Sequence, residues 1–192
     1  MTNMEKNGKF IASAEKTHRE NLIFEGKILR LFCDDVTLPS GKLAKREYVR
    51  HRGAVAVVAL DDKENVYLVK QYRYAIGRET LEIPAGKLEV GEHDPREAAE
   101  RELSEELGIT ANTLEPMGVY ISSPAILTER IYCFLATGLH FGSAHPDDDE
   151  YLGATVLPLA DAVSMVLRGE IEDGKTLFAL QKAFLMRHSV KD

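Results

Sequence analysis

Gly53 opens a near-continuous apolar run, Ala54-Val55-Ala56-Val57-Val58-Ala59-Leu60. A strand with one wet face alternates apolar and polar residues, so an unbroken run of this kind is the mark of a strand buried on both faces. Such a strand needs cover above and below, which points to a mixed sheet with helices on its faces, an α/β/α sandwich. The run is far too short to span a bilayer. The start, Met1-Thr2-Asn3-Met4-Glu5-Lys6-Asn7, has no apolar segment of the signal-peptide type. A cytoplasmic protein without membrane contacts is expected.

The flanking segments fill in that architecture. Residues 1–20 are polar and are expected to be partly disordered. Leu22–Phe24, Ile28–Cys33 and Val36–Leu38 read as strands, Pro39-Ser40-Gly41-Lys42 as a turn, and Leu43–Val49 as a returning strand. Three antiparallel strands make a sheet too thin to stand alone. Residues 1–50 are therefore expected to form a small antiparallel β module, and residues 51–192 the main domain. Val66–Arg73 reads as the second strand of that domain, with Ala75–Gly91 as loops around a short strand at Thr80–Ile83. Asp94 is a good N-cap, Pro95 suits the first helical position, and Glu97 completes a D-x-x-E capping pattern. Ala99, Leu103 and Leu107 form a stripe and Gly108 a stop, so a helix is expected from about Pro95 to Leu107. Further strands are expected at Thr113–Ile121, Arg130–Thr137 and Leu152–Leu157. Helices follow at Ala160–Arg168 and Lys175–Arg187, the second with Asp173 as a cap.

At 192 residues the chain makes one well-buried domain with a small addition. Its net charge of −7 argues against nucleic-acid binding through a basic face. Cys33 and Cys133 have no metal-ligand spacing and sit in apolar contexts, so both read as buried thiols. The charge is uneven. Eight acidic residues against three basic ones leave −5 of the −7 between Gly86 and Ile109.

Within that stretch Glu102, Glu105 and Glu106 fall within about 100° of one another around the helix axis. Same-sign pairs at these spacings destabilise a helix by roughly 0.2–0.5 kcal/mol each. They also lie at the negative end of the macrodipole, where acidic groups are unwelcome. An ordinary solvated face would pair Glu with Lys at i+4, and this one does not. The expected remedy is a hard divalent cation, Mg²⁺ or Mn²⁺, ligated first by Glu102 and Glu106. Arg101 reads as a partner that fixes a glutamate by a charge-assisted bond.

Gly86, Glu92, Arg101-Glu102-Leu103, Glu105-Glu106 and Gly108-Ile109 resemble the Nudix box, G-x5-E-x7-R-E-U-x-E-E-x-G-U with U apolar. One departure is plain: eight residues, His93 to Glu100, separate Glu92 from Arg101 where the family has seven. The extra residue is most easily placed in the Gly91–Asp94 loop, ahead of the helix. Leu81–Glu89, Lys45-Arg46-Glu47 with Gly53–Val57, and Gln71-Tyr72-Arg73 resemble the ADP-ribose pyrophosphatase branch. So does Pro124, fifteen positions beyond Ile109, followed by Glu129.

The resemblance implies a Nudix-type α/β/α sandwich and Mg²⁺-dependent hydrolysis of ADP-ribose to AMP and ribose 5-phosphate. It also implies a homodimer that exchanges its N-terminal sheet. Alternatives are the same chemistry on a nucleotide sugar, or a module that senses ADP-ribose without cleaving it. The resemblance adds the backbone carbonyl of Ala85 to the metal ligands. It places Glu105 and the late-loop carboxylates Glu150 and Asp148 in catalysis, with Glu150 also able to hold an ion. Arg46, Glu47, Arg73, Lys87 and Glu129 become candidates to contact substrate, with Phe24, Tyr72 or Tyr74 to stack a base.

Overall fold

The computed structural model describes residues 14–145 and 153–188. They divide into two compact units, one running to His51 and taking in Ser123–Thr128, the other formed by Arg52–Ser122 and the chain from Glu129.

In the first unit, β1 (Lys16–Arg19), β2 (Leu22–Glu25), β3 (Arg30–Thr37) and β4 (Leu43–Arg50) form one antiparallel sheet. β1 and β2 follow one another along one edge of β3, with Lys16 opposite Thr37 and Leu22 opposite Phe32. β4 lies along the other edge, Arg30 opposite Arg50. Two expectations are corrected here. Lys16–Arg19 is a strand although it buries nothing, because the ladder to β3 supplies its backbone partners. β3 also runs unbroken through Asp34-Asp35. The buried Asp34 carboxylate accepts from the Asn21 backbone N–H at 3.0 Å and the Tyr48 hydroxyl at 3.0 Å, so the acidic pair need not leave the strand. Ser123–Thr128 extends the unit beyond β4: Val49 N–H donates to Ile126 O and Thr128 N–H to Val49 O.

The second unit is built on the apolar run. β5 (Ala54–Leu60) is buried at every residue. Around it stand β6 (Asn65–Arg73), β7 (Arg78–Glu82), β8 (Ala85–Lys87), β9 (Ile109–Tyr120), β10 (Ile131–Phe141) and β11 (Gly153–Pro158). The main path of the sheet is β11-β6-β5-β10-β9, with β7 on β6 and β8 on β5. β5 and β10 are parallel and the other pairs antiparallel, so the sheet is mixed. Pro116, which cannot donate to a ladder, lies on the edge strand β9 beside the register shift at Cys133/Phe134.

Among the described residues three α-helices cover the sheet: α1 (Pro95–Leu107), α2 (Leu159–Leu167) and α3 (Gly174–His188). Alternate residues of β5 serve the two faces. Ala54, Ala56, Val58 and Leu60 share one core with Leu159, Ala162 and Val166 of α2 and Ala179, Leu180 and Ala183 of α3. Val55, Val57 and Ala59 share the other with Ala98, Ala99 and Leu103 of α1. The fold is the three-layer α/β/α sandwich expected. Sequence pattern predicts loop at β8, since three residues with a glycine carry no periodicity; pairing with β5 makes it a strand. No helix among the described residues is long and apolar enough to cross a membrane.

Candidate active site

The limits of α1 are set by local chemistry. The Asp94 side chain accepts from the Arg96 N–H at 2.9 Å and Pro95 occupies the first turn. Gly108 ends the helix in the left-handed region, at φ 63°. The face it buries holds Ala98, Ala99 and Leu103, and also Glu102 and Glu106, which are only 7% and 5% exposed. Both carboxylates thus lie inside the packed edge of the helix.

They meet the chain where β7 passes into β8. A Cβ on Gly86 would come within 1.8 Å of Glu102 Oε1, so this carboxylate rests against a position that only glycine leaves open. The Ala85 N–H donates to Glu106 Oε2 at 3.3 Å. Two adjacent backbone residues therefore receive two carboxylates from successive turns of α1. One residue earlier, the Pro84 carbonyl accepts from Val57 N–H of β5 at 2.9 Å.

Arg101 gathers the remaining acidic groups. Its Nη1 donates to Glu102 Oε1 and to Glu105 Oε2, each at 2.8 Å. Nε and Nη2 donate to the two oxygens of Glu92 at 3.3 Å, and Nη2 also to the Lys87 carbonyl at 3.4 Å. Burial works against its charge, but Glu92, Glu102 and Glu105 more than offset this and hold Arg101 above its ordinary pKa. Arg101 is the charge-assisted partner expected, and it also supplies the i,i+4 pairing that lysine does not: Glu105, its side chain 38% exposed, pairs with it at that spacing. Among the described residues, no three acidic, histidine or cysteine side chains already form a group that could hold a metal ion. Glu92 reaches Arg101 despite the additional residue between them, and Gly91 just before it adopts φ 90°. A bond from Glu89 N–H to Glu92 Oε2 at 2.9 Å, ahead of the pairing with Arg101, holds the Glu92 carboxyl below its usual range.

Beside this cluster lies a buried polar network that the sequence reading did not find. Glu82, 2% exposed, accepts from Arg73 Nε and Nη2 at 2.7 and 2.6 Å, from Thr80 Oγ1 at 2.5 Å, and from Lys175 Nζ. Lys175, itself buried, also donates to Asp173 Oδ2 at 2.9 Å. Asp173 caps α3 by accepting from the Thr176 N–H at 3.0 Å, and the Thr176 hydroxyl accepts from the Ile83 N–H at 3.0 Å. The available signal was the Asp173-Gly174-Lys175-Thr176 helix start. A lysine beside a capping aspartate in an apolar-striped helix needs a buried acidic partner.

The other expected site residues are placed as follows. Ala85, Glu102, Glu105 and Glu106 come together at the α1–β8 contact described above. Arg73 is engaged with Glu82. The Lys87 side chain is exposed, and Glu129 accepts from the Ser122 hydroxyl at 2.6 Å. Tyr72 and Tyr74 are 58% and 91% exposed. Arg46, Glu47 and Phe24 belong to the first unit, where Arg46 pairs with Glu15 and Glu47 and Phe24 are exposed. Asp148 and Glu150 lie outside the described residues.

A mixed sheet between helical layers, with a glycine-bearing strand met by a glutamate-rich helix, defines the class, and known proteins agree. Residues 50–180 match the NUDIX domain. The ADP-ribose pyrophosphatase of Bacillus subtilis (strain 168) is 43% identical over 169 residues, which cover 87% of this chain and 91% of that protein. A methanol dehydrogenase activator of Bacillus methanolicus is 41% identical over 169 residues, with the same coverage of 87% and 91%. A crystal structure of an ADP compounds hydrolase shares the fold, with a TM-score of 0.78 at 21% identity over 91% of this chain and 96% of that one. The chain belongs to the NUDIX family.

Proposed function

We propose that this protein hydrolyses the pyrophosphate bond of ADP-ribose, releasing AMP and ribose 5-phosphate, with Mg²⁺ or Mn²⁺ as cofactor. The observation that carries the reading is the burial of Glu102 and Glu106 against the Ala85–Gly86 backbone. Arg101 offsets Glu102 and the Ala85 N–H supports Glu106, yet two carboxylates at the negative end of a helix, removed from water, still favour a further cation beside them. Similarity to an ADP-ribose pyrophosphatase at 43% identity supports the choice of substrate.

The donors suit a hard divalent ion, because every candidate is a carboxylate or carbonyl oxygen. Glu102, Glu106 and the Ala85 carbonyl would hold it, and the open space at Gly86 leaves the Glu102 carboxylate its place. Such an ion supplies neutralisation of the diphosphate charge and a more acidic water. Arg101 orients Glu102 and Glu105 and, through Glu92 and the Lys87 carbonyl, ties the helix to the loop it faces. Glu105, the most exposed of the three glutamates, is the one placed to reach water or a further ion. In this reading Glu150 or Asp148 activates the attacking water. Arg46, Glu47, Lys87 and Glu129 contact the substrate, and Arg73 does so with the part of its guanidinium not bound to Glu82.

The protein is further proposed to be a cytoplasmic homodimer. The first unit exposes Leu22, Ile23, Phe24, Ile28 and Leu29 by 43–61%, more apolar surface than so small a sheet usually leaves wet, and a second copy would cover it.

The test is incubation of the pure protein with Mg²⁺ and a panel of ADP-ribose, nucleotide sugars and dinucleotides, with identification of products. AMP and ribose 5-phosphate, formed fastest from ADP-ribose, are expected. Faster cleavage of a nucleotide sugar would overturn the substrate assignment. Binding of ADP-ribose without turnover of any compound would overturn the enzyme.

A further inference from the structure

The Ile83–Gly86 stretch is gripped from three directions. In the plane of the sheet it pairs with β5, Ala85 opposite Ala56 and Gly86 opposite Val55. On one side of the sheet α1 reaches it, through Glu106 to the Ala85 N–H. On the other side α3 reaches it, through Thr176 to the Ile83 N–H at 3.0 Å and through Lys175 to the Glu82 carboxylate. A ladder holds a strand well within its sheet and poorly across it; here the two helices hold it across. Only two residues separate the Ile83 N–H from the Ala85 N–H, at most about 7 Å of chain. Pro84 between them has a fixed φ, which makes this link stiff.

The α3 side of the grip is built to be rigid. Thr176 is wholly buried, Glu82 is 2% exposed and Lys175 7% exposed. Asp173 ties the group to the start of the helix, since one oxygen accepts from Lys175 Nζ at 2.9 Å, from the Thr176 N–H at 3.0 Å and from the Thr176 hydroxyl at 2.5 Å. Arg73 closes the far side of Glu82 with two bonds. None of Asp173, Lys175 and Thr176 has a part in the chemistry above.

We propose that Asp173, Lys175 and Thr176 form a positioning strut that sets the Ala85–Gly86 backbone against Glu102 and Glu106 and thereby determines how tightly the site holds its divalent ion. The inference rests on the metal site of the preceding section. It adds that the affinity of that site is controlled from the opposite face of the sheet by residues that touch neither metal nor substrate.

The experiment is titration of the metal-free protein with Mn²⁺, followed by loss of the paramagnetic resonance signal of the free ion. Circular dichroism establishes that each variant is folded. Glu106→Gln is expected to lose binding, which tests the metal site itself. Thr176→Val removes the acceptor of the Ile83 N–H with almost no change of shape, and Lys175→Met removes the cation from Glu82. Each is expected to raise the Mn²⁺ dissociation constant roughly tenfold, the lower end for partners lying beyond the ligands. Thr176→Ser, which keeps the hydroxyl, is expected to bind as the parent does. Saturating Mn²⁺ is expected to restore kcat with KM for ADP-ribose unchanged in a valine variant that circular dichroism shows fully folded without metal, where refolding by the ion cannot account for the recovery. If Thr176→Val does not fold, Lys175→Met carries the test. Mn²⁺ affinity within twofold of the parent in a folded variant would overturn the strut and leave the metal site standing. A parent chain that binds no Mn²⁺ would overturn both.

Discussion

Replacing Glu82 by glutamine tests the buried network at its centre, and the effect depends on pH in a defined direction. Burial pushes the Glu82 carboxyl up, but Arg73, Lys175 and Thr80 overcome this and bring it from its ordinary 4.5 down to about 2. A depression of that size is worth about 3 kcal/mol to the folded state. The unfolded chain takes up the proton as pH falls through 4.5, whereas the folded chain resists until about 2. The contribution is therefore whole at neutral pH and is lost on acidification, roughly 2 of the 3 kcal/mol having gone by pH 3. Glutamine titrates nowhere in this range, so the variant lacks that dependence. For a chain of this size about 1 kcal/mol moves Tm by roughly 2–4 °C, which predicts a gap of roughly 6–12 °C between parent and variant at pH 7. Thermal unfolding followed by circular dichroism at pH 7, 5, 4 and 3 reads the gap directly. A gap that stays constant from pH 7 to 3 would refute the reasoning, since it would mean that the carboxylate's charge is not what the network stabilises.

Other expectations follow from the same geometry. Glu106→Gln should lower kcat by orders of magnitude, while its Tm stays near that of the parent because the amide oxygen still accepts from the Ala85 N–H; near-normal kcat would remove Glu106 from the ligands. Gly86→Ala should lower kcat at least as severely, because the new methyl would occupy the place of the Glu102 carboxylate, and an active alanine variant would show that this close approach is dispensable. Cys133 is buried and burial pushes its thiol up to about 11, so a thiol reagent at pH 8 should modify it only after unfolding; its labelling in the folded protein would contradict that environment. Lysine at Ile23 and Phe24 should convert the proposed dimer to monomer in sedimentation, and an unchanged dimer would place the interface elsewhere.

The parts of the site that were legible in the sequence are those written in neighbouring residues. Asp94-Pro95 and Gly108 mark the ends of α1 because capping, proline geometry and left-handed glycine act within one turn. The two-faced burial of β5 follows from seven apolar residues in a row. The glutamate cluster announced itself by breaking helix rules. Its neutralisation by Arg101 was half legible: the type of bond was expected, but a single guanidinium serving Glu92, Glu102 and Glu105 was not. That depends on the path of the Gly91–Asp94 loop, which no periodicity describes.

Short-range physics therefore determined the limits of α1, the strand identity of β5 and the clustering of the glutamates, and motif resemblance pointed to the family. The tertiary structure alone decided that β8 is a strand, that Lys16–Arg19 joins a sheet, and that Glu82 meets Lys175 and Ile83 meets Thr176 across 93 positions of chain. The helix start at Asp173 signals that Lys175 needs an acidic partner, but nothing local says which residue supplies it. Only the closing of the sheet between its helical layers brings them within reach, and the cost of burying an unpaired charge or N–H then makes the pairing obligatory.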